Sequence, residues 1–238
     1  MYSILEHYLS TNHILMIGMI VTFILTFFLL EHPFSFLPSD QGRAFAVNGS
    51  LSKGKLRGVG FIFVLCFLIS SVLFLPIDVE YVIYAILLFA MMISGYLDDA
   101  SKTPWNEYKK GLIDLVISVV AVLTYMNFNS TTICFGADEI VIPKALFLIL
   151  GVILIWVSVN VTNCTDGVDG LCASLCSVTL LAFGVLFAPI LQKYAMANFL
   201  FLSVLFAYLY FNSSPSSMLM GDAGSRALGS VSYTHLTL

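Results

Sequence analysis

The stretch ILMIGMIVTFILTFFLL, residues 14–30, decides the fold, because it contains no charged residue and approaches the length of a membrane span. An α-helix rises about 1.5 Å per residue, so roughly 20 apolar residues cross the hydrocarbon region of a bilayer. Six further apolar segments follow, and a single charge, Asp114, occurs in one of them. The sequence therefore predicts an all-α, polytopic membrane helix bundle with about seven transmembrane helices. The predicted spans are Ile14–Leu30, Gly58–Leu75, Tyr81–Leu97, Leu112–Phe128, Ala145–Val159, Leu171–Ile190 and Tyr194–Phe211.

The composition of the whole chain indicates the same class of protein. Hydrophobic residues make up 59% of the 238 residues and charged residues 10%, where soluble domains average about 25% charged residues. The net charge of −4 leaves no basic surface for nucleic acid, so we expect no nucleic-acid partner. The five cysteines include no C-x-x-C pair, which favours packing residues over metal ligands or a disulfide framework.

The distribution of lysine and arginine predicts the orientation in the membrane, because cytosolic connections carry the excess of these residues. The connections after the first, third, fifth and seventh spans hold most of them, whereas the opposite side holds only Lys144 and Lys193. This pattern predicts that the N-terminus lies outside. The residues on the predicted cytosolic side are Arg43, Lys53, Lys55, Arg57, Lys102, Lys109, Lys110 and Arg226.

Three polar motifs occur in the predicted cytosolic connections. Asp98-Asp99 closes the third span, NVTNCTDGVDG (160–170) joins the fifth and sixth, and MGDAGS (220–225) follows the seventh. Taken singly, each has an ordinary explanation as a solvated helix end, a polar turn or a capped turn. Together they place several carboxylates at one membrane surface without a histidine, which favours Mg²⁺ over zinc. These carboxylates are Asp98, Asp99, Asp166, Asp169 and Asp222.

Several local expectations follow from the same stretches. The glycines of the second motif predict that the helix unwinds between Asn160 and Gly170, which would bring the backbone close to a ligand. Ser225 is a candidate N-cap for a helix after the third motif. Asp114 lies about one turn inside its span, so we expect it near water. Residues 136–141 indicate a short hairpin or loop on the outer side.

The motifs LDDASK (97–102), NVTNCTDGVDGL (160–171) and MGDAGSRALG (220–229) resemble those of the polyprenyl-phosphate sugar-1-phosphate transferases. The closest likeness is to the members that transfer phospho-N-acetylmuramoyl-pentapeptide. This resemblance implies a Mg²⁺-dependent enzyme of the bacterial plasma membrane, with its site facing the cytosol. Undecaprenyl phosphate would attack the β-phosphate of UDP-N-acetylmuramoyl-pentapeptide, giving lipid I and UMP. The resemblance is also compatible with a homodimer.

The resemblance implies roles for individual residues. Asp98 matches an acid that acts on the lipid phosphate, Asp222 matches the magnesium ligand, and Asp99 lies beside them in the catalytic set. The implied metal ligands are Asp222, Asp99 and Asp166. The implied substrate contacts are Lys53, Lys102, Lys110, Asn160, Asn163, Asp166, Asp169, Asn212 and Ser225, with Asp169 on the uracil side and Asn212 in the nucleotide pocket.

The chain departs from the family pattern in three places. Lys55-Leu56-Arg57-Gly58 stands where the family has a threonine–proline-containing loop, and Leu219 stands where an aromatic residue that stacks on uracil is expected. The family also continues for several more spans. Residues 1–229 are therefore interpreted as an incomplete transferase domain and 230–238 as a foreign or truncated tail. We expect a chain that ends at Leu238 to make no lipid I.

Two alternatives remain open from the sequence. Related transferases load N-acetylglucosamine-1-phosphate onto polyprenyl phosphate. A secondary transporter with unwound, acidic helices is a different class, and it would place polar breaks near the membrane midplane rather than at span ends.

Overall fold

The computed structural model describes residues 1–32, 34–40, 42, 52–135 and 138–231, without the side chains of 133–139. Within these ranges the chain forms nine helices and one antiparallel hairpin. The elements are α1 (Tyr2–Leu5), α2 (Thr11–Glu31), α3 (Gly60–Phe74), α4 (Val79–Asp99), α5 (Glu107–Phe128), β1 (Thr132–Phe135), β2 (Asp138–Val141), α6 (Lys144–Thr165), α7 (Leu171–Phe187), α8 (Gln192–Asn212) and α9 (Gly221–Ser230).

Each predicted span corresponds to one of the helices α2 to α8, which confirms the all-α membrane class. In the described part of the chain, five of them are long and apolar enough to cross a membrane, while α3 and α7 contain 15 and 17 residues. Those lengths correspond to about 22 and 26 Å. Gly58 and Gly170 both have φ of +75°, so turns occupy the residues immediately before these two helices. The seven predicted segments are thus seven apolar helices in the described part of the chain, five of membrane length and two shorter.

Helix α8 forms the centre of the bundle and contacts α2, α3 and α7. The rings of Phe67 on α3 and Phe201 on α8 stack with centroids 4.4 Å apart. Large apolar side chains such as Phe28, Val116 and Ile153 point outward from the peripheral helices. An exposed apolar surface of this extent is typical of helices that contact lipid.

Helix α9 lies buried among α3, α4 and α6. Glycines allow backbone contact there: a Cβ atom at Gly60 would lie 2.1 Å from the Gly224 nitrogen, and one at Gly95 would lie 2.3 Å from the Asp222 carbonyl oxygen. The helix begins at Gly221, whose φ is +66°. Ser225 is consequently inside the helix, where its hydroxyl donates to the Gly221 carbonyl oxygen, so its predicted role as an N-cap is wrong.

Helix α6 continues through Asn160 and Asn163 and ends at Thr165. The predicted unwinding is therefore wrong for the first half of that motif and applies only from Asp166 to Gly170. The first glycine of the motif is Gly167, so nothing before it favours a break in the backbone hydrogen-bond ladder.

The hairpin and the end of α9 lie next to residues outside the described part of the chain. The hairpin of β1 and β2 matches the expected outer hairpin, although residues 136 and 137 lie outside the described part. Ser230 ends α9, and Val231 packs in the core. That residues 230–238 form a foreign or truncated tail stays a prediction. Residues 232–238 and Arg43 lie outside the described residues.

Candidate functional site

The polar motifs meet at one end of the helix bundle. The segment before α3, the last turn of α4, the first turn of α5, the last turn of α6 and the start of α9 all reach this end. The opposite end carries an ion pair between Lys193 and Asp78, and a hydrogen bond from Asn129 to Glu80. The separation of these two groups agrees with the predicted division of the connections into two sides.

Asp98 and Asp222 are joined by one lysine. The Lys110 ammonium lies 2.7 Å from the Asp98 carboxylate and 3.1 Å from that of Asp222. Both aspartates are buried, at 6% and 7% exposure. Burial alone would raise the pKa of Asp222, but the Lys110 ammonium holds that pKa below its usual range. The Trp105 backbone N–H donates to Asp98 at 2.6 Å, so this carboxylate has a fixed orientation.

Asp99 caps the N-terminus of α9. Its carboxylate accepts hydrogen bonds from the backbone N–H groups of Asp222 at 3.1 Å and Ala223 at 3.0 Å, and its side chain is fully buried. A carboxylate in this position satisfies helix N–H groups that have no partner within the helix and interacts favourably with the helix dipole. Asp99 thereby anchors the first turn of α9, which carries Asp222.

Arg57 contacts three carboxylates and was not among the predicted site residues. Its Nε lies 2.8 Å from Asp99, NH1 lies 3.4 Å from Asp40, and NH2 lies 3.5 Å from Asp222. Burial would lower the pKa of Arg57, but Asp99 and Asp222 raise it, so the guanidinium stays charged. The alternation of Lys55 and Arg57 could have indicated this residue, because alternate side chains of an extended segment share one face.

Asn163 and Ser225 belong to the same cluster. The Asn163 side-chain amide donates to the Ser225 hydroxyl at 2.9 Å, and Asn163 also lowers the pKa of Asp222 through a hydrogen bond. Asn160, one turn earlier, is exposed, and its amide donates to the Trp156 carbonyl oxygen of its own helix.

Lys53 and Lys102 are exposed at the same end of the bundle and form no ion pair within the described ranges. Asp166 is the C-cap residue of α6, beyond Asn163.

A second polar group joins the 166–170 turn to the loop before α9. Asp169 accepts a hydrogen bond from the Ser216 backbone N–H at 3.0 Å and lies 3.7 Å from the Lys55 ammonium. Burial opposes ionisation of Asp169, but Ser216 and Lys55 together hold its pKa below the usual range. The Asn212 side chain accepts from Gly170 N–H and donates to the Met218 carbonyl oxygen, so both of its polar ends are engaged.

Asp114 and Arg226 form a buried ion pair between α5 and α9, at 2% and 1% exposure. The expectation that Asp114 lies near water is therefore wrong, because α9 folds back against the bundle and brings a cation to it. Arg226, counted above among the charges of a connection, is likewise inside the protein. Asp114 lies one helical turn after Lys110 on α5, and Arg226 lies one turn after Asp222 on α9. Two ion pairs therefore join these helices, and α5 supplies the cation in one pair and the carboxylate in the other.

The donor groups of the site suit a hard divalent cation. Within the described residues no three His, Cys, Asp or Glu side chains form a preformed metal cage. Mg²⁺ nevertheless binds proteins through only one or two carboxylates, completing its shell with water and substrate phosphates. The carboxylates of the cluster outnumber its two cations, Arg57 and Lys110, so an added divalent ion would meet a net negative charge. The carboxylates are those of Asp40, Asp98, Asp99, Asp222 and the exposed Glu107. The residues present therefore fit Mg²⁺.

The sequence of the chain is similar to those of known proteins. The family model described as glycosyl transferase family 4 matches residues 81–237, more than half of the chain. The phospho-N-acetylmuramoyl-pentapeptide-transferase of Treponema pallidum (strain Nichols) is 34% identical over 235 residues, covering 90% of this chain and 65% of the relative. The protein of the same name from Microcystis aeruginosa is 32% identical over 184 residues, covering 71% and 50%.

A third relative of that name, from Dictyoglomus turgidum, is 27% identical over 224 residues, covering 91% of this chain and 72% of its own length. The chain thus spans about 65% of the length of the first relatives it matches. Together with the five membrane-length helices in the described ranges, these similarities make the chain a multi-pass bacterial membrane protein.

Proposed function

Because the chain belongs to glycosyl transferase family 4, we propose that it is the membrane transferase that makes lipid I. It transfers phospho-N-acetylmuramoyl-pentapeptide from the UDP-linked donor to undecaprenyl phosphate and releases UMP. The site lies at the cytosolic face of the plasma membrane, where the UDP-linked donor is found. The names of relatives that are 34% and 32% identical support phospho-N-acetylmuramoyl-pentapeptide as the transferred group.

The observation that carries the proposal is the Asp98–Lys110–Asp222 bridge. Two buried carboxylates that approach one ammonium within 3.1 Å would repel each other strongly without a cation. This arrangement concentrates opposite charges at a single point, as phosphoryl transfer requires, since that reaction depends on positioning and charge neutralisation.

The reaction needs no strong base, because the phosphate of the acceptor lipid is already anionic near neutral pH. An oxygen of that phosphate attacks the β-phosphorus of the donor, forming a new phosphoanhydride bond while the bond to UMP breaks. Asp98 orients the acceptor, and Lys110 neutralises charge on the transferred group. We favour this direct attack over an aspartyl-phosphate intermediate.

Asp222 and Asp166 are the residues we propose to hold Mg²⁺, with Asn163 between the metal and the nucleotide. When bound, the ion supplies charge neutralisation for the diphosphate and for the leaving UMP. Asp99, which was predicted as a metal ligand, already accepts from two backbone N–H groups and Arg57, so we assign it the positioning of Asp222. Asn212 and Asp169 shape the nucleotide side by joining the two loops.

The test is a transfer assay with the complete gene product in lipid nanodiscs. UDP-N-acetylmuramoyl-pentapeptide, undecaprenyl phosphate and Mg²⁺ should give lipid I and UMP in equal amounts, and EDTA should stop the reaction. A parallel reaction with UDP-N-acetylglucosamine should give no product. Transfer of that sugar alone would assign the chain to the N-acetylglucosamine-1-phosphate transferases, and no transfer with either donor would refute the function.

Two variants test the roles within the site. Asp98→Asn and Asp222→Asn should each lower turnover by at least about a hundredfold, because each removes a charge from the reacting centre. Asp78→Asn is the matched control, since this N-cap lies at the opposite end of the bundle and asparagine retains the capping hydrogen bond. Near-normal turnover in either site variant would place the reaction elsewhere.

A further inference from the structure

Arg57 is held in place by the backbone on both sides of its segment. Its N–H donates to the Pro38 carbonyl oxygen at 2.8 Å, and on the other side Leu219 N–H donates to the Leu56 carbonyl oxygen at 2.8 Å. Val59 N–H also donates to the Leu219 carbonyl oxygen at 3.3 Å. Isolated backbone bridges therefore hold the segment between Pro38 and Leu219, and they fix the backbone from which the Arg57 side chain extends.

The guanidinium of Arg57 is engaged unevenly. Nε makes a short contact of 2.8 Å with Asp99, whereas NH1 and NH2 make only long contacts of 3.4 and 3.5 Å with Asp40 and Asp222. The side chain is 29% exposed, while that of Asp99 is fully buried. One edge of the guanidinium is thus anchored, and the edge formed by NH1 and NH2 has N–H groups to offer a stronger acceptor.

A phosphate group is the acceptor that this edge fits. The planar fork of arginine matches two oxygens of a phosphate, and such paired, charge-assisted hydrogen bonds are short and strong. Asp222, which NH2 approaches, also contacts Lys110, so the edge lies beside the proposed reacting centre. A diphosphate bound there would meet Arg57 and Lys110 from different elements of the fold.

We propose that Arg57 is a phosphate-binding residue of this site, with Nε held by Asp99 while NH1 and NH2 bind one phosphate of a nucleotide-linked diphosphate. This inference rests on the proposed function, since it assigns a further substrate contact to the same site. It also gives a physical role to the Lys-Leu-Arg-Gly stretch, in which the chain departs from the threonine–proline pattern of the family it resembles.

The experiment measures binding rather than turnover. UDP and inorganic pyrophosphate are titrated calorimetrically, with Mg²⁺ present, into the complete gene product in nanodiscs. Arg57→Gln should weaken the binding of both probes by at least about thirtyfold, because the charge and the fork are both lost. Arg57→Lys keeps the charge but not the fork, and it should weaken binding by at least about tenfold.

The matched control is Lys144→Gln, which removes one positive charge from the N-terminus of α6 at the opposite end of the bundle. It should bind both probes as the wild type does. Thermal unfolding of each variant identifies any that fails to fold. Arg57→Lys serves as the second variant, because it keeps a cation beside Asp99.

The outcomes separate the two proposals. If the wild type binds UDP and Arg57→Lys binds it equally well, Arg57 is only a counter-ion for the carboxylates and the inference is wrong. If the wild type binds neither UDP nor pyrophosphate, the proposed function fails as well. Weaker binding in both Arg57 variants with an unchanged control supports a phosphate-binding fork.

Discussion

The polar residues of the candidate site are joined to one another by ion pairs and hydrogen bonds. Asp169 is an example, because its carboxylate joins two loops through Ser216 and Lys55 at the edge of the site. Its pKa lies below the usual range even though burial opposes ionisation, so the ionised form stabilises the folded state. Below the usual aspartate pKa of about 3.9, an unfolded chain binds a proton that the folded chain does not.

The lowered pKa of Asp169 predicts how the stability of the protein depends on pH. The contribution of Asp169 should be fully present above about pH 5 and should be lost as pH falls through the lowered pKa. Asp169→Asn should therefore unfold at a lower temperature than the wild type at pH 7, and the difference should shrink as the medium becomes acid. Thermal unfolding in detergent at several pH values measures this. A difference that is independent of pH would show that the carboxylate charge is unimportant there.

At the scale of elements, α9 is the decisive piece of the fold. It carries Asp222, and it reaches its place through glycine contacts with α3, α4 and α6, a cap from Asp99 and the buried pair of Asp114 with Arg226. A buried pair of this kind contributes little net stability, but removing one partner leaves an uncompensated charge inside the protein. The pair therefore favours a single placement of α9 over others.

The contact at Gly95 provides a test of this placement. A Cβ atom there would lie 2.3 Å from the Asp222 carbonyl oxygen, which is backbone and cannot turn aside. Gly95→Ala should move the start of α9 and lower transfer by at least about a hundredfold, because catalytic groups must be held to about 0.5 Å. In the control Gly111→Ala, the nearest atom would be a Trp156 ring carbon at 3.8 Å, and turnover should be retained. Full activity in Gly95→Ala would mean that α9 can shift without consequence.

At the scale of the whole molecule, the two ends of the bundle carry different sets of charged residues. The proposed site occupies one end, and the other carries Lys144, the Lys193–Asp78 pair and the hairpin. Because the excess of basic residues on the site's end favours a cytosolic location, the orientation predicted from the connections applies to the site as a unit.

Cysteine labelling tests that orientation. In a background with all five native cysteines changed to serine, Lys53→Cys and Lys102→Cys should react with a membrane-impermeant maleimide only after the cytosolic side is opened. Lys144→Cys should react in intact cells. Arg226 is unsuitable as a labelling site, because it is buried. The opposite labelling pattern would place the site outside and exclude cytosolic UDP-linked donors.

The sequence by itself determined the class and the family of the protein. Long uncharged segments such as residues 14–30 have one stable solution in lipid, since each backbone polar group must be satisfied within its own helix. The three acidic motifs were enough to identify the family, which the match to residues 81–237 confirms. These features depend on local composition and spacing, which a sequence displays directly.

Only the tertiary structure decided which charges meet. Asp114 was expected near water, yet it pairs with Arg226, a residue 112 positions later in the chain. Arg57 and Lys110 contact Asp222 from separate elements, and Asp99 acts on the N-terminus of α9 across a similar distance in sequence. The physical reason is that a charge takes its environment from whatever packs against it, and no local pattern specifies how α9 folds back into the bundle.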